Sequence, residues 1–480
     1  MNIQEKPIPL SLALLPVILL VALLSLSVYF FSDNSSYGAN QIALILSAGL
    51  AALVALRLGH KWEDIEAAII HGISQSMIAI LILLVVGALI GSWMISGTVQ
   101  TLIYYGLNIF SAQWFYAAAC LVCAIAAVSI GSSWTVAGTL GVAFMGMAIA
   151  MELDVAITAG AIVSGAYFGD KLSPLSDTTN LASAVTGTPL FRHIENLLWT
   201  TIPAFVMALL LFSFMGEGGE QPTDSIAATL AGLESQFHLA WYLLLPVVLV
   251  FTLAWRRVPA LPTLLAGSLF ACVLAGAFQG EAIARWMQAF DGGMVAKTLA
   301  ALWTALFDGY VSNTGDEALD SLLSRGGMSS MLNTVWLIIC AMTFGSVMEH
   351  AGLLQRMLQA ILSKVQSVTG LIVSTVFTCI GANVMTADQY IAIVLPGRMY
   401  KLEYARYGLA PENLSRTLED SATLTSPLIP WNTCGAYMAG TLGVGTLSYA
   451  PYAFFNVLGP IICVAFAVIH FRIVPLNKEA

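Results

Sequence analysis

The chain has 480 residues, of which 58% are hydrophobic and only 9% charged, with a mean hydropathy of +0.85. Soluble globular domains carry about 25% charged residues, so this composition excludes them and indicates an all-α polytopic membrane protein. A β-barrel would show short alternating segments, not long apolar runs. The net charge of −9 gives no basis for nucleic-acid binding, and topology is set by where Lys and Arg fall.

At roughly 20 residues per span, apolar segments fall near 10–30, 39–58, 73–95, 114–130, 134–151, 155–168, 195–215, 238–255, 260–280, 293–311, 329–350, 367–397 and 449–471. Several are interrupted, so the pattern predicts roughly 10–13 crossings with broken helices or re-entrant hairpins. The first span has no A-x-A-like site after it and reads as a retained helix, not a signal peptide. Lys6, Arg57, Lys61, Arg256, Arg257, Arg472 and Lys478 sit at alternate ends of these spans. The stretch 216–237 holds Glu217, Glu220, Asp224 and Glu234 with no Lys or Arg. Both termini are therefore expected in the cytoplasm and 216–237 outside. All seven cysteines lie in apolar segments, and Cys120-x-x-Cys123 has no second pair, which favours core packing over metal or redox work. Neither a P-loop nor an H-E-x-x-H motif occurs, and no enzyme is expected.

The sequence repeats itself. Leu14-Leu15-Pro16-Val17 recurs as Leu244-Leu245-Pro246-Val247, and Gly91-Ser92-x-Met94 as Gly345-Ser346-x-Met348. Gly72, Ser76 and Met77 match Gly326, Ser330 and Met331, Thr135 matches Thr386, and Ser173-Pro174-Leu175 matches Ser426-Pro427-Leu428. The order is shared, and the offset grows by about two dozen residues, placed within 281–326. This gives one transporter domain over 1–480, with a first copy at about 8–215 and a second at about 238–473. The charge map puts the copies in opposite orientation. Inverted repeats with matched helix breaks mark secondary transporters, with the site at the repeat interface.

The breaks come in two pairs, and each collects oxygen ligands where lipid offers no water. Asp170, Ser173, Asp177, Thr178, Thr179 and Asn180 follow the helix ending near Phe168; Asp420, Ser426, Asn432 and Thr433 form the matching break. Ser133 and Thr135 interrupt one apolar run, and Asn383, Thr386 and Asp388 another. Hard cations want oxygen ligands, and a buried carboxylate holds Na⁺ when ionised or H⁺ when neutral. Asp170, Asp177, Asp388 and Asp420 are the ion- and proton-binding candidates. Each also has a structural reading: Asp170 as the partner of Lys171, Asp177 as the cap of a helix starting at Thr178, and Ser133 and Thr135 as helix-packing residues. Glu419 is expected to be solvated, with Asp420 the better candidate. Lys171 and Arg398 are the cations available to an organic anion. His193 reads as a surface residue at a helix start more readily than as a proton relay. Asn313-Thr314-Gly315-Asp316-Glu317 reads as a turn, with an entrance loop as the alternative. Gly87-x-x-x-Gly91 permits close helix approach, which is compatible with a homodimer.

The motifs Gly169-Asp170-Lys171-Leu172-Ser173-Pro174-Leu175-Ser176-Asp177-Thr178-Thr179-Asn180, Gly309-Tyr310-Val311-Ser312-Asn313-Thr314-Gly315 and Ser426-Pro427-Leu428-Ile429-Pro430-Trp431-Asn432-Thr433 resemble those of the NhaC family of Na⁺/H⁺ antiporters. The resemblance spans essentially the whole chain and implies a secondary transporter in a prokaryotic inner membrane. It implies Na⁺ and H⁺ as transported ions, membrane lipid as surroundings and no cofactor. Family members include malate–lactate antiporters and carriers thought to move amino acids, so an organic-acid or amino-acid carrier is the alternative.

Overall fold

The computed structural model describes residues 8–31, 38–216, 223–315 and 317–476; Lys6, Glu217, Glu220, Asp316 and Lys478 lie outside them. The described residues are helices and connecting turns, with two isolated β-bridges. Among the described residues, nine helices are long and apolar enough to cross a membrane, or up to eleven if each of two bent pairs is one span.

The first half runs through α1 (Leu10–Phe31), α2 (Ala39–Arg57), α3 (Trp62–Gln75), α4 (Met77–Ile95), α5 (Thr98–Ile109), α6 (Phe115–Ile130), α7 (Ser133–Ala150), α8 (Val155–Leu172), α9 (Asp177–Thr186) and α10 (Leu190–Met215). A connector, α11 (Thr223–Gln236), leads to α12 (Trp241–Trp255), α13 (Ala260–Phe278), α14 (Gly280–Trp286), α15 (Met294–Phe307), α16 (Glu317–Leu323), α17 (Met328–His350) and α18 (Leu353–Leu362). The chain closes with α19 (Val368–Thr386), α20 (Gln389–Arg406), α21 (Pro411–Leu418) with a π turn at Glu419–Thr423, α22 (Thr433–Leu442) and α23 (Phe454–Val468).

Helices that are apolar all round have no stripe to choose a buried face, so small residues choose it. A Cβ on Gly165 would lie 2.1 Å from the Cys120 carbonyl, and one on Gly169 2.4 Å from Ala127 Cβ. α6 and α8 therefore pack backbone to backbone, with Cys120 and Cys123 buried in the seam as core residues. The Gly87 and Gly91 pair is used within the chain. A Cβ at these positions would meet the Gly327 and Ala305 carbonyls at 2.4 and 1.9 Å.

Contacts between the halves come in exchanged pairs. α2 packs on α17 and α13 on α4; α3 packs on α17 and α15 on α4; α8 packs on α23 and α10 on α21. Left-handed residues also recur: Gly97 and Gly352 start α5 and α18, Gly131 and Ala387 end α6 and α19, and Gly187 and Gly443 end α9 and α22. Gly131 corresponds to Ala387 at an offset of 387 − 131 = 256. The Thr135–Thr386 match read from sequence is five residues out of this register, since Thr135 follows its break and Thr386 precedes the other. α10 and α23 run antiparallel: Phe212 meets Phe454, while Trp199 meets Phe471 and Arg472 at the other end.

Candidate functional site

Two helix breaks have the same local design. α6 ends at Gly131 (φ 76°) and Ser132 then caps α7, its hydroxyl accepting from the Thr135 N–H at 3.2 Å. α19 ends at Ala387 (φ 57°) and Asp388 caps α20, accepting from the Ile391 N–H at 2.9 Å. A side-chain oxygen thus satisfies one of the free donors of each new helix. Glycine tolerates the left-handed turn, whereas at Ala387 it costs on the order of 1–2 kcal/mol.

Two further breaks face these. Between α8 and α9, Thr179 Oγ1 donates to the Asp170 and Lys171 carbonyls (3.2 and 3.0 Å), tying the new helix to the end of the old one. Asn180 donates to the Pro174 and Ser176 carbonyls (2.9 and 2.7 Å) from an exposed position. α9 begins at Asp177 with Ser176 before it, so Asp177 is the first helical residue and not the cap expected from sequence. Before α22, Asn432 caps the helix through Cys434 N–H at 3.0 Å and donates to Asn383 Oδ1 at 3.2 Å. Asn383 in turn donates to the Ala422 carbonyl (2.7 Å) and Thr425 Oγ1 (3.0 Å), and the Thr433 N–H donates to the Ala387 carbonyl at 2.9 Å.

These breaks enclose a cavity of about 200 Å³. Asp170, Asp177 and Asp388 line it with Ser133, Thr178 and Thr433, and among the described residues no Lys or Arg lines it. Asp170 Oδ2 accepts from the Ser133 hydroxyl at 2.6 Å and its backbone N–H at 3.2 Å. α7, α9, α20 and α22 all start at this cavity, so four positive helix ends point at it. Gln75, Ser76 and Ala260 line it as well, the last of these shortly after Arg256 and Arg257.

The other candidates lie beside the cavity. Ser426 donates to Gln389 Oε1 at 2.7 Å, Thr386 to the Ala382 carbonyl at 2.9 Å, and Thr135 Oγ1 to Ser132 at 3.0 Å. Ser173 is buried and accepts from the Leu175 N–H at 3.3 Å. Asp420 is fully buried and paired with Lys171, and Oδ1 also accepts from Thr200 at 2.9 Å. Lys171 is thus committed to the second half of the chain and not to Asp170. Arg398 is exposed and does not line the cavity.

Two expectations are corrected. Glu419 is fully buried, with neither carboxylate oxygen bonded. His193 is also fully buried, with Nδ1 2.8 Å from Ser415 Oγ.

Residues 165–471 match the profile of the Na⁺/H⁺ antiporter family. The Na⁺/H⁺ antiporter NhaC of Alkalihalophilus pseudofirmus is 42% identical over 427 residues, 88% of this chain and 89% of its own. The chain belongs to the Na⁺/H⁺ antiporter family. Two further relatives differ in their named substrates. A malate-2H⁺/Na⁺-lactate antiporter of Bacillus subtilis is 37% identical (86% of this chain, 85% of its own), and an arginine/ornithine antiporter of Halobacterium salinarum 34% (96% and 92%). This antiporter is therefore a multi-pass membrane transporter.

Ser132, Trp134, Gln389 and Tyr390 are among the residues lining the antiporter's cavity that sequence reasoning did not name as ligands. Ser132, Trp134 and Gln389 each adjoin a candidate, so the signal lay in the breaks themselves. The Ser312–Gly315 turn closes on a carboxylate away from the cavity. Asp320 accepts from the Thr314 N–H at 2.8 Å and the Ser312 hydroxyl at 2.7 Å, and these bonds hold its carboxyl down to about 2.

Proposed function

We propose that the protein exchanges Na⁺ for H⁺ at this cavity, proton entry driving Na⁺ out of a prokaryotic cell. The observation that carries the reading is the lining of three carboxylates, Asp170, Asp177 and Asp388, without a cationic side chain. Ionised Asp170, with Ser133, Thr178, Thr433 and backbone oxygens near it, offers the hard oxygen donors that Na⁺ requires. Protonated, the same carboxyl no longer attracts Na⁺, so the two ions compete. Asp420, tied to Lys171, is not assigned to the Na⁺ site, and the exchange calls for no cofactor.

The exchanged contacts between halves, the recurring left-handed residues and the antiparallel α10 and α23 support an inverted repeat. Arg192, Lys401, Arg406 and Arg472 cluster near the start of α10 and the end of α23, which supports a cytoplasmic placement for that face and for both termini. Lipid covers the exposed apolar belt.

An organic-acid carrier is the second reading, favoured by the four helix N-termini, which suit a carboxylate. Lys171 and Arg398 do not serve it here. The test is an imposed pH gradient across proteoliposomes. Na⁺ alone should dissipate the gradient, with Li⁺ and K⁺ run in parallel; a response seen only when malate, lactate or an amino acid is added would refute Na⁺/H⁺ antiport.

A further inference from the structure

The buried face of α10 carries a second polar file that the cation cavity does not use. His193, Asn196 and Thr200 recur at three- and four-residue spacing, so they share one helix face, and none is more than 7% exposed. Facing them on α21 and its π turn are Glu412, Ser415, Arg416, Glu419 and Asp420, none more than 9% exposed. The two sides are bonded in register. His193 Nδ1 meets Ser415 Oγ at 2.8 Å, and Asn196 donates to the Glu412 carbonyl at 2.9 Å and accepts from Arg416 at 3.0 Å. Deeper in, Thr200 donates to Asp420, which pairs with Lys171. From Glu412 to Asp420 the file spans about 12 Å at 1.5 Å per residue. At its outer end Glu412 meets Arg192, whose side chain is 70% exposed.

So many buried polar groups are costly unless satisfied, yet the file keeps free atoms along its length: His193 Nε2, Asp420 Oδ2 and both Glu419 oxygens. Ser415 Oγ also lies 3.2 Å from the Glu412 carbonyl. In the tautomer the relay uses, the Ser415 proton is directed there and Nδ1 donates toward Ser415. Nε2 therefore presents a buried, unused lone pair. The charged groups around this ring are Lys171 on α8, Glu412, Arg416, Glu419 and Asp420 on α21 and its π turn, Arg192 and Glu195 on its own helix, and Arg472 beyond α23.

We propose that the seam between α10 and α21 is a proton path separate from the cation cavity, with His193 as its relay to the surface. The inference rests on the Na⁺/H⁺ reading above. Asp170 and Lys171 are neighbours on the last turn of α8; Asp170 faces the cavity and Lys171 the seam. Glu419 is within electrostatic reach of Asp170, which lines the cavity, and of Lys171 and Asp420 in the seam. A proton displaced from Asp170 by Na⁺ crosses to the free Glu419 oxygens and then to His193 Nε2, through bridging water or side-chain motion. The imidazolium gives up its Nδ1 proton to Ser415 Oγ as the Ser415 hydroxyl turns from the Glu412 carbonyl and passes its own proton to the Glu412 carboxylate, which meets the exposed Arg192. Only N–H and O–H bonds change, one proton enters and one leaves, and return of the ring to the Nδ1–H tautomer resets the relay.

Two fluxes in proteoliposomes of the full-length protein separate path from site. One is Na⁺/H⁺ antiport, followed by a pH dye; the other is exchange of radiolabelled Na⁺ for Na⁺ without a pH gradient, which moves no proton. His193→Gln keeps a donor toward Ser415 but cannot titrate. Its antiport should fall at least about tenfold with the Na⁺ KM unchanged, while Na⁺/Na⁺ exchange stays at the wild-type rate. Unchanged antiport, or equal loss of both fluxes, overturns the proposal. Should that variant not reach the membrane, Ser415→Ala is put to the same two assays with the same expected split and the same refuting outcomes. Absence of both fluxes in the wild-type protein would refute the antiport reading itself.

Discussion

Replacing Lys171 by Met removes the cationic partner of Asp420 and leaves a carboxylate whose side chain is fully buried. Oδ1 would keep only the neutral Thr200 hydroxyl, and Oδ2 has no partner already. Breaking a buried pair from one side costs about 3–5 kcal/mol. The variant has one escape, which is to fold with Asp420 protonated. Against an unfolded carboxyl near 3.9, that costs about 1.4 kcal/mol per pH unit, hence about 4 kcal/mol at pH 7 and about 1.5 kcal/mol at pH 5. A group protonated when folded loses stability as pH rises, so the deficit of Lys171→Met should shrink as pH falls. Lys171→Met with Asp420→Leu should recover most of the loss at every pH, because an apolar pair of similar volume is often neutral or better. The seven cysteines are all buried, so a thiol-reactive dye reports unfolding in detergent directly. Lys171→Met as stable as wild type at pH 7, or a deficit that does not change with pH, would refute the assignment of a buried ion pair.

Ser133→Ala removes the 2.6 Å hydroxyl bond from Asp170 and a proposed cation ligand together. The Na⁺ KM should rise on the order of tenfold, about 1.4 kcal/mol, in a labelled-Na⁺ uptake titration. Asp388→Asn removes a cavity charge but keeps the cap on Ile391 N–H, since Asn caps as well as Asp. Antiport should be lost while the melting temperature stays near wild type; in Asp388→Ala it should fall as well, by about 1 kcal/mol of stability. Asp320 sits at about 2 when folded and an unfolded Asp at about 3.9. The turn at 312–315 is therefore fully held above about pH 4 and loosens as pH falls toward 2. Hydrogen exchange of that segment should report this, and Asp320→Asn should show the loosened state at neutral pH.

The spans were legible because bilayer thickness fixes the length of an apolar run, and the breaks because Gly, Pro and polar residues have no other place in such runs. What joins the breaks was not legible. Lys171 and Asp420 are 249 residues apart, and in sequence Lys171 has a nearer acidic neighbour in Asp170. Consecutive helical residues point about 100° apart, which is why Lys171 turns from its neighbour to another helix. Glu419 follows the charged loop that begins near Tyr404, so local composition placed it in water, whereas the fold turns α21 inward. His193 had a usable signal in its spacing to Asn196 and Thr200, a polar stripe on a membrane helix. Read residue by residue, it passed for a helix end.

The four helix starts around the cavity fix its balance of charge. Each contributes roughly half a positive charge, about +2 in all, and the three lining carboxylates contribute −3 when ionised. The remainder is about −1, which a single monovalent cation cancels, whether Na⁺ on the carboxylates or H⁺ on one of them. Under the exchange proposed above, either loaded form would cross the low-dielectric middle of the membrane as a neutral object, whereas the unloaded form would not. Obligatory exchange, with little slip in the absence of a second ion, would then be a property of the backbone as much as of the side chains.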